Sequence, residues 1–149
     1  MRAVIQRVLE ASVQVDGNTV SSIGRGILVL AGLHESDTDP DMEYVIKKIL
    51  GARIFNDEDG VMNRSVTDIG GEVLLISQFT LYGDIRRGKR PSYSNAMDPD
   101  RAREAFASFV GRCRSHNEKT KAGIFGADMK VSLINDGPIT ILIDSSKLF

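Results

Sequence analysis

Asn135-Asp136-Gly137-Pro138-Ile139-Thr140, set between the apolar runs 131–134 and 139–143, is the stretch on which the reading of this chain turns. Both runs read as buried strands, so the Gly-Pro pair falls at the tip between them. Proline has no amide to donate, and the glycine before it accepts backbone angles that other residues refuse. Such a tip presents carbonyls and little side chain. It can test the shape of a ligand's backbone while ignoring its side chain.

Working outward, residues 2–8 alternate as a strand, and 11–15 and 19–23 flank Asp16-Gly17-Asn18 as a hairpin. Gly24-Arg25-Gly26 turns the chain into 27–32, a continuous apolar run that reads as a strand buried on both faces. Polar cap candidates at 36–39 and Pro40 predict a helix from about Asp41, with Met42, Val45, Ile46, Ile49 and Leu50 on one face and Gly51 as its stop. A short strand is expected at 52–55. Residues 56–60 read as an acidic turn, because a calcium loop needs a far-end glutamate that is missing here.

Residues 72–81 read as a long strand that leaves the core at Ser77, Gln78 and Thr80. Residues 83–94 form a loop. A second helix follows Pro99, with Ala102, Ala105, Phe106, Phe109, Val110 and Cys113 on its apolar face. The last strand pair is 130–136 and 139–143. This pattern gives an α+β fold with a mostly antiparallel sheet and two main helices.

The 149 residues, 42% hydrophobic and 26% charged, suit one globular domain spanning 1–149. A net charge of -1 excludes a protein that is basic throughout. Cys113, the only cysteine, reads as a small core residue, and no apolar run approaches the ~20 residues a bilayer requires. A cytoplasmic protein without membrane attachment is expected.

The two histidines, His34 and His116, sit in polar settings and read as surface residues. No GxSxG elbow, HExxH, CxxC or phosphate loop occurs, so neither a metal nor a cofactor is expected and histidine base catalysis is a poor first reading. Two stretches remain. Arg86-Arg87-Gly88-Lys89-Arg90, between Tyr82 and Tyr93, is either a solvated charged loop or a site that neutralises phosphates beside stacking rings. Ser77-Gln78-Phe79-Thr80 offers hydroxyls and an amide at a strand end, where they either satisfy the backbone or line a site.

Ser77-Gln78-Phe79-Thr80-Leu81 and Asn135-Asp136-Gly137-Pro138-Ile139-Thr140 resemble the SQFTL and NxGPVT motifs of the D-aminoacyl-tRNA deacylases, with Ile139 in place of valine. The similarity extends from residues 1–7 through Tyr82-Gly83-Asp84, Arg90-Pro91-Ser92 and Phe125-Gly126-Ala127-Asp128-Met129. The resemblance implies a barrel-like sheet in a single domain and a homodimer acting on aminoacyl-tRNA. It further implies a cis Gly137-Pro138 bond, which sequence alone would assign as trans, at a tip that reaches into the partner's pocket. Arg7 would brace that tip, Phe125 and Met129 would shape an adenosine pocket, and residues 77–80 would form its opposite wall.

Such parts suit an ester hydrolase that judges chirality. Carbonyls at Gly137 and Pro138 that hold the substrate amine would collide with an L side chain and leave a D side chain in solvent. Glycine would pass. Backbone amides near Phe79 and Thr80 are candidates for stabilising the oxyanion, with water as nucleophile; the rival has Thr80 attack directly. Two other readings are a noncatalytic RNA-binding module and a trans Gly-Pro relative that edits small L residues.

Overall fold

The computed structural model describes Met1–Phe149 and is organised by the length of its first strand. β1 (Arg2–Val15) is one strand of 14 residues, where the alternation suggested two. Two antiparallel neighbours share one of its edges: β2 (Asn18–Ile23) beside its second half and β3 (Gly26–Gly32) beside its first. The Asp16-Gly17 turn joins β1 to β2 as expected, with both residues at positive φ.

The chain then leaves the sheet and returns to it twice. α1 (Asp39–Gly51) begins two residues before the expected Asp41, with Pro40 in its first turn. The Asp41 carboxylate accepts from Thr38 N at 3.0 Å and Thr38 Oγ1 at 2.6 Å. β4 (Phe55–Asn56) and β5 (Met62–Arg64) form a small hairpin, so the expected strand 52–55 is shorter and displaced. The Asp57 carboxylate closes its acidic turn by accepting from Asp59 N and Val61 N.

β6 (Glu72–Ser77) lies parallel to β3, and α2 (Pro99–His116) carries the chain to β7 (Thr120–Ala122), which lies parallel to β6. Parallel neighbours need such crossovers, and the two helices supply them. β8 (Lys130–Asp144) returns along the second edge of β1. Four of the six strand pairings are antiparallel. The sheet is mixed, barrel-like and nearly closed, in an α+β domain with two main helices.

Ile5, Ile27, Val29, Val73 and Leu75 pack one face of the sheet under the apolar sides of both helices. Val8, Leu28, Leu74 and Ile76 fill a second cluster on the opposite face. Burial on both sides is why 27–32 and 73–76 read as unbroken apolar runs. Cys113 is fully buried between α2 and the sheet, and burial pushes its thiol up to about 12.

Three expectations are corrected. The strand read as 72–81 stops at Ser77, since β3 ends at Gly32 and offers no further partner. Gln78 N makes the last bond, 2.8 Å to Ala31 O, and residues Phe79–Tyr82 coil into a 3-10 turn. The runs 130–136 and 139–143 do not pair with each other as two strands around a tip. Both belong to β8 and both pair with β1. Nor are they buried throughout: Leu133, Ile134, Ile141 and Leu142 are exposed, while Ile139 and Ile143 turn into the core.

Gly26 opposes Glu72 at the start of the β3–β6 pair, where a β-carbon would stand 1.9 Å from the Glu72 carbonyl oxygen. Gly26→Ala is expected to cost about 3 kcal/mol, read from the urea midpoint. A midpoint equal to wild type would mean that these strands part freely.

Candidate active site

Gln6 pairs with Thr140 and Val8 with Asn135, so the four residues Asp136 to Ile139 of β8 stand opposite the single residue Arg7 of β1. The surplus bows outward as a wide bulge with Gly137 and Pro138 exposed at its crest, joined by a cis peptide bond. Arg7 runs beneath it. Its Nε donates to Asp136 O at 3.2 Å and lies 2.9 Å from Asp136 Oδ2; its Nη1 donates to Ile54 O at 2.5 Å, and its guanidinium lies over the Phe55 ring. The Asn135 amide nitrogen, oriented to suit its neighbours, donates to the carbonyls of Arg7 at 3.2 Å and Ile139 at 3.3 Å. Arg7 thereby ties the first shoulder of the bulge to β1, and Asn135 ties that shoulder to the second at Ile139.

A cavity of about 600 Å³ opens at the carboxyl ends of β3 and β6. Ligand sites favour this end of parallel strands, where loops diverge and leave a crevice. Ala31, Leu33 and Ile76 form its floor, and Ser77, Gln78 and Phe79 one wall. Phe125 and Met129 form another wall, with Phe125 6.0 Å from Phe106 of α2 and Arg103 over its ring. The lining is mainly apolar with a few polar groups, as is usual for small-molecule sites.

Phe79 and Thr80 begin the 3-10 turn, and neither backbone amide donates to a protein acceptor. Thr80 Oγ1 accepts from Gln78 Nε2, and no histidine, lysine or carboxylate bonds to it. Its hydroxyl therefore has no base among its hydrogen-bond partners. Phe79 is exposed and meets Tyr93 edge-on at 5.0 Å, which closes the rim.

Ser77, Gln78, Phe79, Phe125 and Met129 thus share one cavity; Thr80 follows directly on the turn. Arg7 bonds to Asp136 beneath the bulge that carries Gly137 and Pro138, and none of these three lines the cavity. The candidate residues thus fall into two separate groups on one chain.

The sequence matches the family described as D-Tyr-tRNA(Tyr) deacylase over residues 4–144. The chain belongs to this family. It is 54% identical to the D-aminoacyl-tRNA deacylase of Thermosipho africanus (strain TCF52B) and 56% to that of Thermotoga petrophila (strain ATCC BAA-488 / DSM 13995 / JCM 10881 / RKU-1), each over the full length of both chains. Among solved structures, "c-Myc DNA Unwinding Element Binding Protein" superposes with a TM-score of 0.93 at 43% identity, covering 97% of this chain and 98% of that one. A probable eukaryotic D-amino acid tRNA deacylase superposes at 0.80 and 17% identity, over 95% and 97%, which shows a shared fold.

Sequence reasoning missed two supports of the candidate site. Arg2 donates from Nη1 to Leu81 O at 3.0 Å, lies over the Tyr82 ring and pairs with Asp144, so it pins the 3-10 turn from behind. Nothing in its place on an alternating strand announces that role. Gly123 sits under Met129, where a β-carbon would stand 2.5 Å from the thioether sulfur. Gly123→Ala is expected to leave the fold standing, because Met129 is flexible, but to push its side chain into the cavity. A displaced Met129 methyl resonance would show this, and an unmoved one would place the strain elsewhere.

Proposed function

We propose that this protein hydrolyses the ester of D-aminoacyl-tRNA, releasing free tRNA and a D-amino acid, and that it does so as a homodimer. The observation that carries the reading is the separation of the two groups of candidate residues. Gly137 and Pro138 crest an exposed strand and lie outside their own chain's cavity, while Ser77 to Phe79 line a cavity that has no such crest. A second copy would supply each with the other.

The place of the crest supports that partner. β8 pairs only with β1, so its outer edge is unpaired, and it exposes Leu133, Ile134, Ile141 and Leu142 beside Gly137 and Pro138. Two such edges meeting about a twofold axis would bury the apolar residues and carry each crest toward the neighbouring cavity.

In the assembled site the terminal adenosine would lie against Phe125 and Met129, with the ester beside residues 77–80. The free amides of Phe79 and Thr80 would receive the negative charge that develops on the carbonyl oxygen. Water is the nucleophile, set by the neighbouring ribose hydroxyl of the RNA, because the Thr80 hydroxyl bonds only to an amide. The carbonyls of Gly137 and Pro138 would take the substrate amine and fill the space an L side chain needs. Glycine lacks that side chain, so glycyl-tRNA is a substrate as well. Aminoacyl-tRNA is made in the cytoplasm, which we take as the site of action; no helix is long and apolar enough to cross a membrane.

The nucleic-acid name of the 43% identical structure favours one rival, a module that binds tRNA and leaves the ester intact. Deacylation of matched D- and L-tyrosyl-tRNA decides: rapid release of the D form alone is expected, and equal rates for both, or none, would refute the reading. Thr80→Ala should retain single-turnover hydrolysis, whereas complete loss would reinstate Thr80 as nucleophile.

Gly137 offers a test of the crest that spares the fold, since a β-carbon there would meet nothing nearer than the Asn135 amide at 3.6 Å. Gly137→Ala should stay within about 1 kcal/mol of wild-type stability yet lose at least tenfold in D-tyrosyl-tRNA turnover. Full activity would remove the crest from the site.

A further inference from the structure

The loop between the 3-10 turn and α2 carries a second concavity that the deacylase reading leaves unused. Asp84 and Ser92 pinch it with two main-chain hydrogen bonds, Asp84 N to Ser92 O at 2.8 Å and Ser92 N to Asp84 O at 2.9 Å. Between and beside them lies a cleft of about 480 Å³, lined only by Asp84, Arg86, Arg87, Arg90, Ser92 and Ser94. No apolar side chain enters it, so its ligand is charged or strongly polar.

The charge within the cleft is unbalanced. Arg86 grips the single acid, with Nε 3.0 Å from both Asp84 oxygens and Nη2 2.6 Å from Oδ2. That grip holds the Asp84 carboxyl down to about 2. Arg87, Lys89 and Arg90 have no acidic partner. In a chain of net charge -1, three uncompensated cations and two serine hydroxyls around one pinched loop select an anion with several acceptor oxygens.

Its position relative to the cavity narrows the choice. Ser92 and Ser94 face the cleft while Tyr93, between them, lines the cavity and packs on Phe79. One tripeptide thus separates an apolar, ring-lined chamber from a cationic, hydroxyl-lined one. A ligand with its terminal nucleoside in the first and phosphodiesters leading away would cross this rim into the second.

We propose that this cleft binds the phosphodiesters that precede the 3′-terminal adenosine of the substrate RNA, with Arg87 and Arg90 as the phosphate-binding residues and Arg86 held by Asp84 as its wall. The proposal rests on the deacylase reading for the direction of the RNA. It assigns the cleft a share of tRNA affinity and none of the chemistry.

The test compares wild type, Arg87→Gln/Arg90→Gln and a control, Lys47→Gln/Lys48→Gln, which removes the same charge from the exposed side of α1. Each is assayed for hydrolysis of D-tyrosyl-tRNA and of D-tyrosyl-adenosine, which lacks every phosphodiester, and for binding of uncharged tRNA across a salt series. The arginine variant should raise KM for the tRNA about tenfold with kcat little changed. It should also flatten the log-log salt dependence by about 1.4, roughly 0.7 for each single-stranded phosphate that is no longer neutralised. Its loss on D-tyrosyl-adenosine should be at least several-fold smaller, and the control should track wild type. An unaltered salt slope, an equal loss on both substrates, or an equal effect of the control would each overturn the assignment. If wild type hydrolyses neither substrate, the deacylase reading has failed, and the salt slope for uncharged tRNA still decides whether the cleft holds RNA.

Discussion

Arg7 is the residue on which the geometry of the candidate site depends, because one position of β1 must hold down four of β8. A bulge of that size has lost its ladder hydrogen bonds and would otherwise open to solvent. The guanidinium replaces them. Its planar fork reaches a main-chain carbonyl and a carboxylate of the bulge on one side and the Ile54 carbonyl on the other, and its charge strengthens each bond at little exposure. A lysine ammonium also carries three donors, but from a single nitrogen it could not reach acceptors spread along one plane as the guanidinium does. Asn135 completes the tie with its amide, and Ile139 anchors the far shoulder in the core.

The same economy runs through the cavity. Its polar wall exists because β6 stops at Ser77, opposite Ala31, and the chain then turns close past the end of β3: a β-carbon at Gly32 would stand 2.9 Å from Gln78 O. Only a glycine lets the chain turn down so closely after Ser77. The turn leaves the amides of Phe79 and Thr80 without acceptors, and Arg2 fixes it from behind through Leu81 O. The 3-10 turn and the bulge are therefore both held through main-chain carbonyls by arginines that approach from β1, one at each end of its first half.

Much of this was legible in the sequence, and what was not has identifiable causes. The helix faces, the Asp-Gly hairpin, the buried runs and the core role of Cys113 follow from periodicity and turn chemistry. The continuity of β8 did not, because Gly-Pro interrupts an apolar pattern alike whether the chain reverses or only bulges. The exposure of Ile134 and Leu142 was also hidden, since an apolar side chain does not by itself say whether its own chain covers it. β7 is three residues of mixed polarity at the sheet's edge, too short to show a period. Residues 77–80 stood out as polar groups at a strand end and Phe125 and Met129 only through resemblance; that Ser77, Gln78, Phe79, Phe125 and Met129 meet in one cavity depends on long-range folding that residue type does not report. Arg2 and Gly123 act through a carbonyl and an empty volume, neither of which leaves a mark on residue type.

A main-chain crest is also the physically reasonable way to reject by hand and not by side chain. Discrimination by a pocket grows with the group it must hold, so a pocket shaped for one D side chain would fail for the next. A carbonyl fixed against the amine and α-carbon meets only what all amino acids share. In the proposed reading its selectivity would come from repulsion of the wrong hand and not from attraction of the right one. That demands rigidity, because a crest able to yield by an ångström would admit both forms. The charged bonds beneath Asp136, the amide clasp of Asn135 and the buried Ile139 supply that rigidity from three directions. The exposed edge they leave behind is tolerable only if something covers it, and the apolar residues flanking Gly137 and Pro138 on β8 are the surface by which a second chain would do so.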